Sequence, residues 1–304
     1  MGAMPPRNLS LATLAIALFG LSHARGDDSG YVRIDLARRW GNHLVATVRV
    51  NGKTARMMVD SGAGVSCIDP ARDLEFGFRA IKGVSAKLNG EKHGITRLES
   101  LGIGPIEIRN LKVALVRMDA TNHVRTGESR VDGILGLNVL RAGRAVIDCQ
   151  QLRLFWKAIP TRPNLMAATL PKAGWTAVKL EVVGNHYVAP GAVNGKPARF
   201  LIDTGAFATL VDRGFAATAG LAENGMRLHS VGLHSEDTNS HTAQPNLLSV
   251  GGFVLKDLPV AVTGLGIVRT IDRRANVILG GDALGRNLGV IDCEQNVLYL
   301  KSPR

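Results

Sequence analysis

The chain carries one short signature twice. Val59-Asp60-Ser61-Gly62-Ala63 returns as Ile202-Asp203-Thr204-Gly205-Ala206, 143 positions later. Around it, 14 of the 23 positions from Gly41 to Ala63 are identical in Gly184 to Ala206. A second frame, from Leu135-Gly136 through Val146-Ile147-Asp148-Cys149, returns 144 positions later as Leu279-Gly280 through Val290-Ile291-Asp292-Cys293, with 7 of 15 positions identical. Two blocks at nearly one offset mark the tandem duplication of a whole unit. Two copies of one unit can pack about a pseudo-two-fold axis, and that axis can bring the repeated aspartates to one place.

The 304 residues suit two domains of about 130 residues each, enough to bury proper cores. The duplication divides them into a first lobe over residues 25–157 and a second over residues 177–304. Between the lobes, residues 158–176 hold Pro160, Pro163 and Pro171, have no counterpart in the repeat and read as a linker. Residues 1–24 read as a signal peptide: Arg7 supplies positive charge, Leu9 to Leu21 is an apolar run, and Ser22-His23-Ala24 offers small residues where a signal peptidase reads. An uncleaved anchor is the alternative, although the run is short for a bilayer. The expected localisation is exported, periplasmic or secreted, with no stable membrane insertion after cleavage.

Export permits disulfides, but three cysteines do not make a disulfide scaffold. Cys149 and Cys293 occupy equivalent repeat positions. They read either as small buried apolar residues or as a bridge, if their strands meet at the axis. Losing residues 1–24 removes one Arg and no acid, taking the formal charge from +12 to +11. That charge favours anionic partners and a soluble surface. The chain shows no nucleic-acid motif and no interleaving of basic and aromatic residues, so nucleic acid is not an expected partner.

Both units are β-rich in pattern. His43 to Val50 and Ala55 to Val59 flank Asn51-Gly52, and Tyr187 to Val193 and Ala198 to Ile202 flank Asn194-Gly195. Asn-Gly between strand-like runs predicts a hairpin, because both turn positions require φ > 0. Each repeated Asp therefore ends a hairpin strand and enters a tight turn. Leu101 to Val116 matches Leu248 to Val262, and Asn138 and Asp282, after Gly136 and Gly280, are placed to cap short helices.

An apolar residue followed by Asp-Ser/Thr-Gly-Ala, with a later Ile134-Leu135-Gly136 or Ile278-Leu279-Gly280 entering a helix, resembles the retropepsin-like aspartic proteases, the bacterial exported branch in particular. The resemblance covers nearly all of residues 31–157 and 177–304. It implies an all-β fold of two tandem retropepsin-like β-barrel lobes, with the active site in the cleft between them. It also implies a monomer, since one polypeptide supplies both halves, and a protein or peptide substrate. Two departures from pepsin-like enzymes stand out. Tyrosines occur only at 31, 187 and 299, so neither candidate flap loop holds one, and each signature ends in Ala rather than a hydroxyl residue.

The resemblance assigns Asp60 and Asp203 as the catalytic dyad. Two carboxylates about 3 Å apart cannot both ionise, so one proton is shared. The ionised member activates a water that attacks the peptide carbonyl, and the protonated member assists the oxyanion and the leaving amine. Ser61 and Thr204 would bond across the axis, Gly62 and Gly205 would admit the carboxylates, and Ala63 and Ala206 complete the supporting loops. No cofactor or metal is expected. His43 and His186, inside strands, are expected to pack or hydrogen-bond. His229, His234 and His241 lie in a polar stretch without regular ligand spacing. Asp148, Asp292 and Asp132 read as structural. Two alternatives stay open: a non-catalytic peptide-binding pseudoprotease of the same fold, and a dimer in which each lobe pairs with another chain.

Overall fold

The structure is a computed structural model that describes residues 30–39, 42–88, 90–122, 130–222, 225–231, 236–266 and 268–303. The signal-peptide segment, residues 1–24, and His234 lie outside the described residues, as does the side chain of His229. No described helix is long and apolar enough to cross a membrane.

The fold is all-β, two tandem lobes of the retropepsin-like kind. Both Asn-Gly pairs make the expected turns, with φ of 47° and 81° at Asn51 and Gly52 and of 50° and 79° at Asn194 and Gly195. They join strand His43–Val50 to Lys53–Val59 and strand His186–Val193 to Lys196–Ile202. Each lobe has its own sheet. In the first, Lys53–Val59 lies beside Gly133–Leu135, which in turn pairs with Cys67–Ile68, and His43–Val50 also pairs with Glu91–Ile103. The second lobe repeats this with Lys196–Ile202, Val277–Leu279 and Leu210–Asp212.

A third sheet belongs to both halves. Its order is Tyr31–Asp35, Arg153–Lys157, Val146–Asp148, Val290–Asp292, Val297–Leu300 and Thr176–Lys179. At its centre Val146–Asp148 and Val290–Asp292 pair antiparallel with Ile147 opposite Ile291, so the pseudo-two-fold axis passes between those two residues. The strands carrying the repeated cysteines do meet there, but the register parts the thiols. The Cys149 amide donates to the Gly289 carbonyl at 2.9 Å and the Cys293 amide to the Ala145 carbonyl at 2.8 Å. Both cysteines are free and buried.

Strand alternation sorts side chains to two faces. Leu44, Ala46, Val48 and Val50 enter a core that runs through both lobes and includes Trp156, Tyr187 and Phe200. On the opposite face Val45, Met58, Cys67 and Ile134 form a smaller cluster, and the second lobe repeats it with Val188, Leu201, Ile278 and a partly buried Leu210. Under the shared sheet Lys157 is buried and meets Glu294 at 3.0 Å, while the Tyr31 hydroxyl donates to Glu294 at 2.8 Å.

Asn138 and Asp282 differ from the expectation. The helices Leu137–Ala142 and Gly281–Arg286 are preceded by Gly136 and Gly280 at their N-cap positions, with no side-chain cap. Asn138 and Asp282 sit inside the first turn and bond sideways, Asp282 also accepting from the Ala283 amide at 2.6 Å. Asn138 accepts from the Ser66 amide at 2.8 Å and hydroxyl at 2.9 Å, and Asp282 accepts from the Thr209 hydroxyl at 2.8 Å. Each side chain thus ties its helix to a hydroxyl of an earlier loop, and the cap position itself is left to glycine.

Candidate active site

Parallel pairing to the Ile-Leu-Gly strands fixes where each hairpin strand ends. Asp60 donates its amide to the Leu135 carbonyl at 3.0 Å, and Asp203 does the same to Leu279 at 3.0 Å. The chain then turns around its own carboxylate. Oδ1 of Asp60 accepts from the amides of Gly62 at 2.8 Å and Ala63 at 3.0 Å, and Oδ1 of Asp203 accepts from Gly205 at 2.8 Å and Ala206 at 3.0 Å. The two turns bond their carboxylates alike.

Ser61 and Thr204 tie the turns together across the axis. The Ser61 amide donates to the Thr204 hydroxyl at 3.0 Å, and the Thr204 amide donates to the Ser61 hydroxyl at 3.1 Å. Each hydroxyl passes its own hydrogen to the other lobe, Ser61 to the Ile202 carbonyl at 2.9 Å and Thr204 to the Val59 carbonyl at 2.7 Å. Both residues are buried, and both amides and both hydroxyls of the knot have partners.

The glycines let the carboxylates approach. A Cβ on Gly62 would fall 2.2 Å from Cγ of Asp203, and one on Gly205 would fall 2.4 Å from Cγ of Asp60. Each carboxylate thus occupies the side-chain space of the opposite lobe's glycine. Ala63 and Ala206 pack on the small apolar clusters behind the loops, which explains methyl groups there. Asp60 is buried and Asp203 half-buried. Burial, followed by the facing Asp203 carboxylate, holds the Asp60 carboxyl well above the usual range. Burial raises Asp203 too, against the lowering effect of the bond from Asp60 and the two amides. Such a pair retains a proton where ordinary carboxylates have lost theirs.

Other repeated residues support the loops. Ser66 and Thr209, hydroxyl residues six positions after each Asp, accept from the amides of Gly136 at 2.9 Å and Gly280 at 3.2 Å. Sequence reasoning missed them, though the repeated hydroxyl was a visible signal. Asp132 accepts from the Arg56 amide at 2.8 Å, and its aligned Asn276 accepts from the Arg199 amide at 3.0 Å. The pair is symmetric in bonding although not in residue type. Asp148 and Asp292 close turns on the amides of Gln151 at 2.8 Å and Gln295 at 3.0 Å. His186 does hydrogen-bond, through Nδ1 to the Gly62 carbonyl at 2.9 Å.

A family model described as aspartyl protease matches residues 46–139 and again residues 189–283. A search of curated sequences gave no match. Among solved structures, that of an aspartic proteinase from Irpex lacteus is similar, with a TM-score of 0.55 and 14% identity over 90% of this chain and 97% of that one. Basic 7S globulin from soybean gives 0.51 and 11% over 90% and 95% of the two chains. Conglutin gamma, a basic 7S globulin from lupine seeds, gives 0.52 and 12% over the same shares, 90% and 95%. At these identities the likeness is one of fold.

Proposed function

Because the chain belongs to the aspartyl protease family, both of its halves matching the family's model, we propose that it is an endopeptidase whose Asp60 and Asp203 activate a water for peptide hydrolysis. One observation carries this reading: each carboxylate fills the space left by the other lobe's glycine. Two acids pressed together and raised by burial hold one proton between them, which is the state a water-activating dyad needs. The ionised member takes a proton from the water as it attacks the carbonyl, and the protonated member donates to the carbonyl oxygen and then serves the departing nitrogen. The pair titrates as a unit. Since a single chain supplies both acids, the working form is a monomer.

The test is hydrolysis of a peptide library followed by mass spectrometry, with the parent and with Asp60→Asn and Asp203→Asn. Cleavage by the parent and loss in both variants supports the reading, and the double variant should be no worse than either single one. Turnover in a single variant removes the dyad from the mechanism. A parent that binds peptides but cleaves none would favour the pseudoprotease.

A further inference from the structure

Two side chains of the second lobe reach across the cleft to the loop that carries Asp60. They stand where strand His186–Val193 begins. Asn185 donates its side-chain amide to the Gly64 carbonyl, and Nδ1 of His186 lies 2.9 Å from the Gly62 carbonyl oxygen. The duplication places Asn42 and His43 at the same point of the first lobe, and Asn42 donates to the Phe207 carbonyl at 2.7 Å. The asparagine clamps are therefore reciprocal. Phe207 stands where the first lobe has Gly64, and His43 meets the Phe207 ring at 6.3 Å between centroids. At Gly64 no side chain intervenes, and a Cβ there would lie 2.9 Å from Nε2 of His186.

The Gly62 carbonyl belongs to a peptide group with two engaged ends. Its oxygen faces His186, and its N–H, that of Ala63, donates to Oδ1 of Asp60 at 3.0 Å. A donor on the carbonyl end polarises an amide and strengthens its N–H as a donor. Because Nδ1 makes this contact, only a ring with hydrogen on Nδ1 can donate to the Gly62 carbonyl oxygen. Burial disfavours the charged imidazole, and in the neutral ring the carbonyl selects the tautomer.

We propose that His186, as its Nδ1–H tautomer, is a positioning residue for the hydrolysis proposed above: it donates across the lobe boundary to the Gly62 carbonyl and so aims the Ala63 N–H at Asp60. The missing side chain at Gly64 is what admits it. The inference rests on the Asp60/Asp203 reading, and its test separates the two.

The experiment measures kcat and KM on one cleaved peptide for His186→Phe, His186→Asn and His186→Gln, with unfolding midpoints recorded for each. Asn presents its N–H close to the place of Nδ1, whereas Gln reaches towards that of Nε2. His186→Phe should lose on the order of tenfold in kcat with KM little changed, the scale of one hydrogen bond. His186→Asn should recover most of that loss and His186→Gln should not. Gly64→Ala, by crowding Nε2, should reproduce the loss, and adding it to His186→Phe should cost nothing more, as coupled neighbours behave. Parental kcat in His186→Phe, or a His186→Asn no better than His186→Phe, would overturn the proposal. Nitrogen-15 spectra of the intact parent read the tautomer without any assay: an Nε2–H ring would overturn it even in an inactive protein, whereas a parent that cleaves nothing while its ring is Nδ1–H would count against the dyad reading alone.

Discussion

Ser61 and Thr204, 143 residues apart, exchange amide-to-hydroxyl hydrogen bonds of 3.0 and 3.1 Å at the bottom of the cleft. Removing either hydroxyl leaves a buried N–H without an acceptor, and an orphaned buried donor costs about 1–3 kcal/mol. Ser61→Ala and Thr204→Val should each destabilise the protein by that amount in urea unfolding, whereas Ser61→Thr, which keeps the hydroxyl, should stay near the parent. The double variant should lose less than the sum, because both changes cut the same knot.

Gly62→Ala and Gly205→Ala should fold and yet fail to cleave. The added methyl of Gly205→Ala falls on Asp60, 2.4 Å from its Cγ, so the carboxylate must leave its place. A displacement of that size in a reacting group costs roughly 100-fold or more in rate. Circular dichroism and kcat/KM on the same samples check the pair of claims.

The dyad should be costly to stability. A carboxyl whose folded pKa is raised holds its proton more tightly in the native state, so stability falls as pH rises from the unfolded value, about 3.9, towards the raised one. Asp60 is raised by burial and by Asp203. Asp60→Asn should therefore be more stable than the parent above that pH, by a margin that grows with pH and then levels off. Equal unfolding free energies at about pH 3 and pH 7, in both proteins, would contradict the shift.

Much of this was legible in the chain because it is local and repeated. The Asn-Gly turns need only their own two residues, and Asp60 and Asp203 stand out because one motif recurs in register. Less legible was whatever depends on a partner far away. Asn138 and Asp282 look like caps in isolation, but Ser66 and Thr209 claim their side chains. Asp132 has Asn276 as its counterpart, a different residue type, although the two accept equivalent backbone amides, those of Arg56 and Arg199. The six-stranded sheet sets three strands of one half beside three of the other, an order that no local pattern encodes.

Glu294 binds the halves from beneath. Although partial burial works against its charge, Lys157 and Tyr31 hold its carboxyl below the usual range. The stability this provides is present above the unfolded value, about 4.3, and is lost as pH falls through the depressed one. Glu294→Gln leaves buried Lys157 without its counter-charge and should cost about 2 kcal/mol at neutral pH, less than a fully buried pair because Glu294 is partly exposed. The difference from the parent should shrink as pH falls, a trend that unfolding curves across pH will test.

A site completed within one chain should not depend on concentration. Specific activity should stay constant on dilution, with a monomer mass by light scattering. Activity that falls with dilution would instead place the two acids on different chains.

The shared sheet also bears on how the protein is made. Val146–Asp148 can find Val290–Asp292 only after the second lobe has left the ribosome, roughly seven to thirty seconds later at usual elongation rates. Until then the first lobe presents a bare strand edge, open to any other strand that passes. Asp203 arrives late for the same reason. In that interval the nascent chain is most exposed to mispairing.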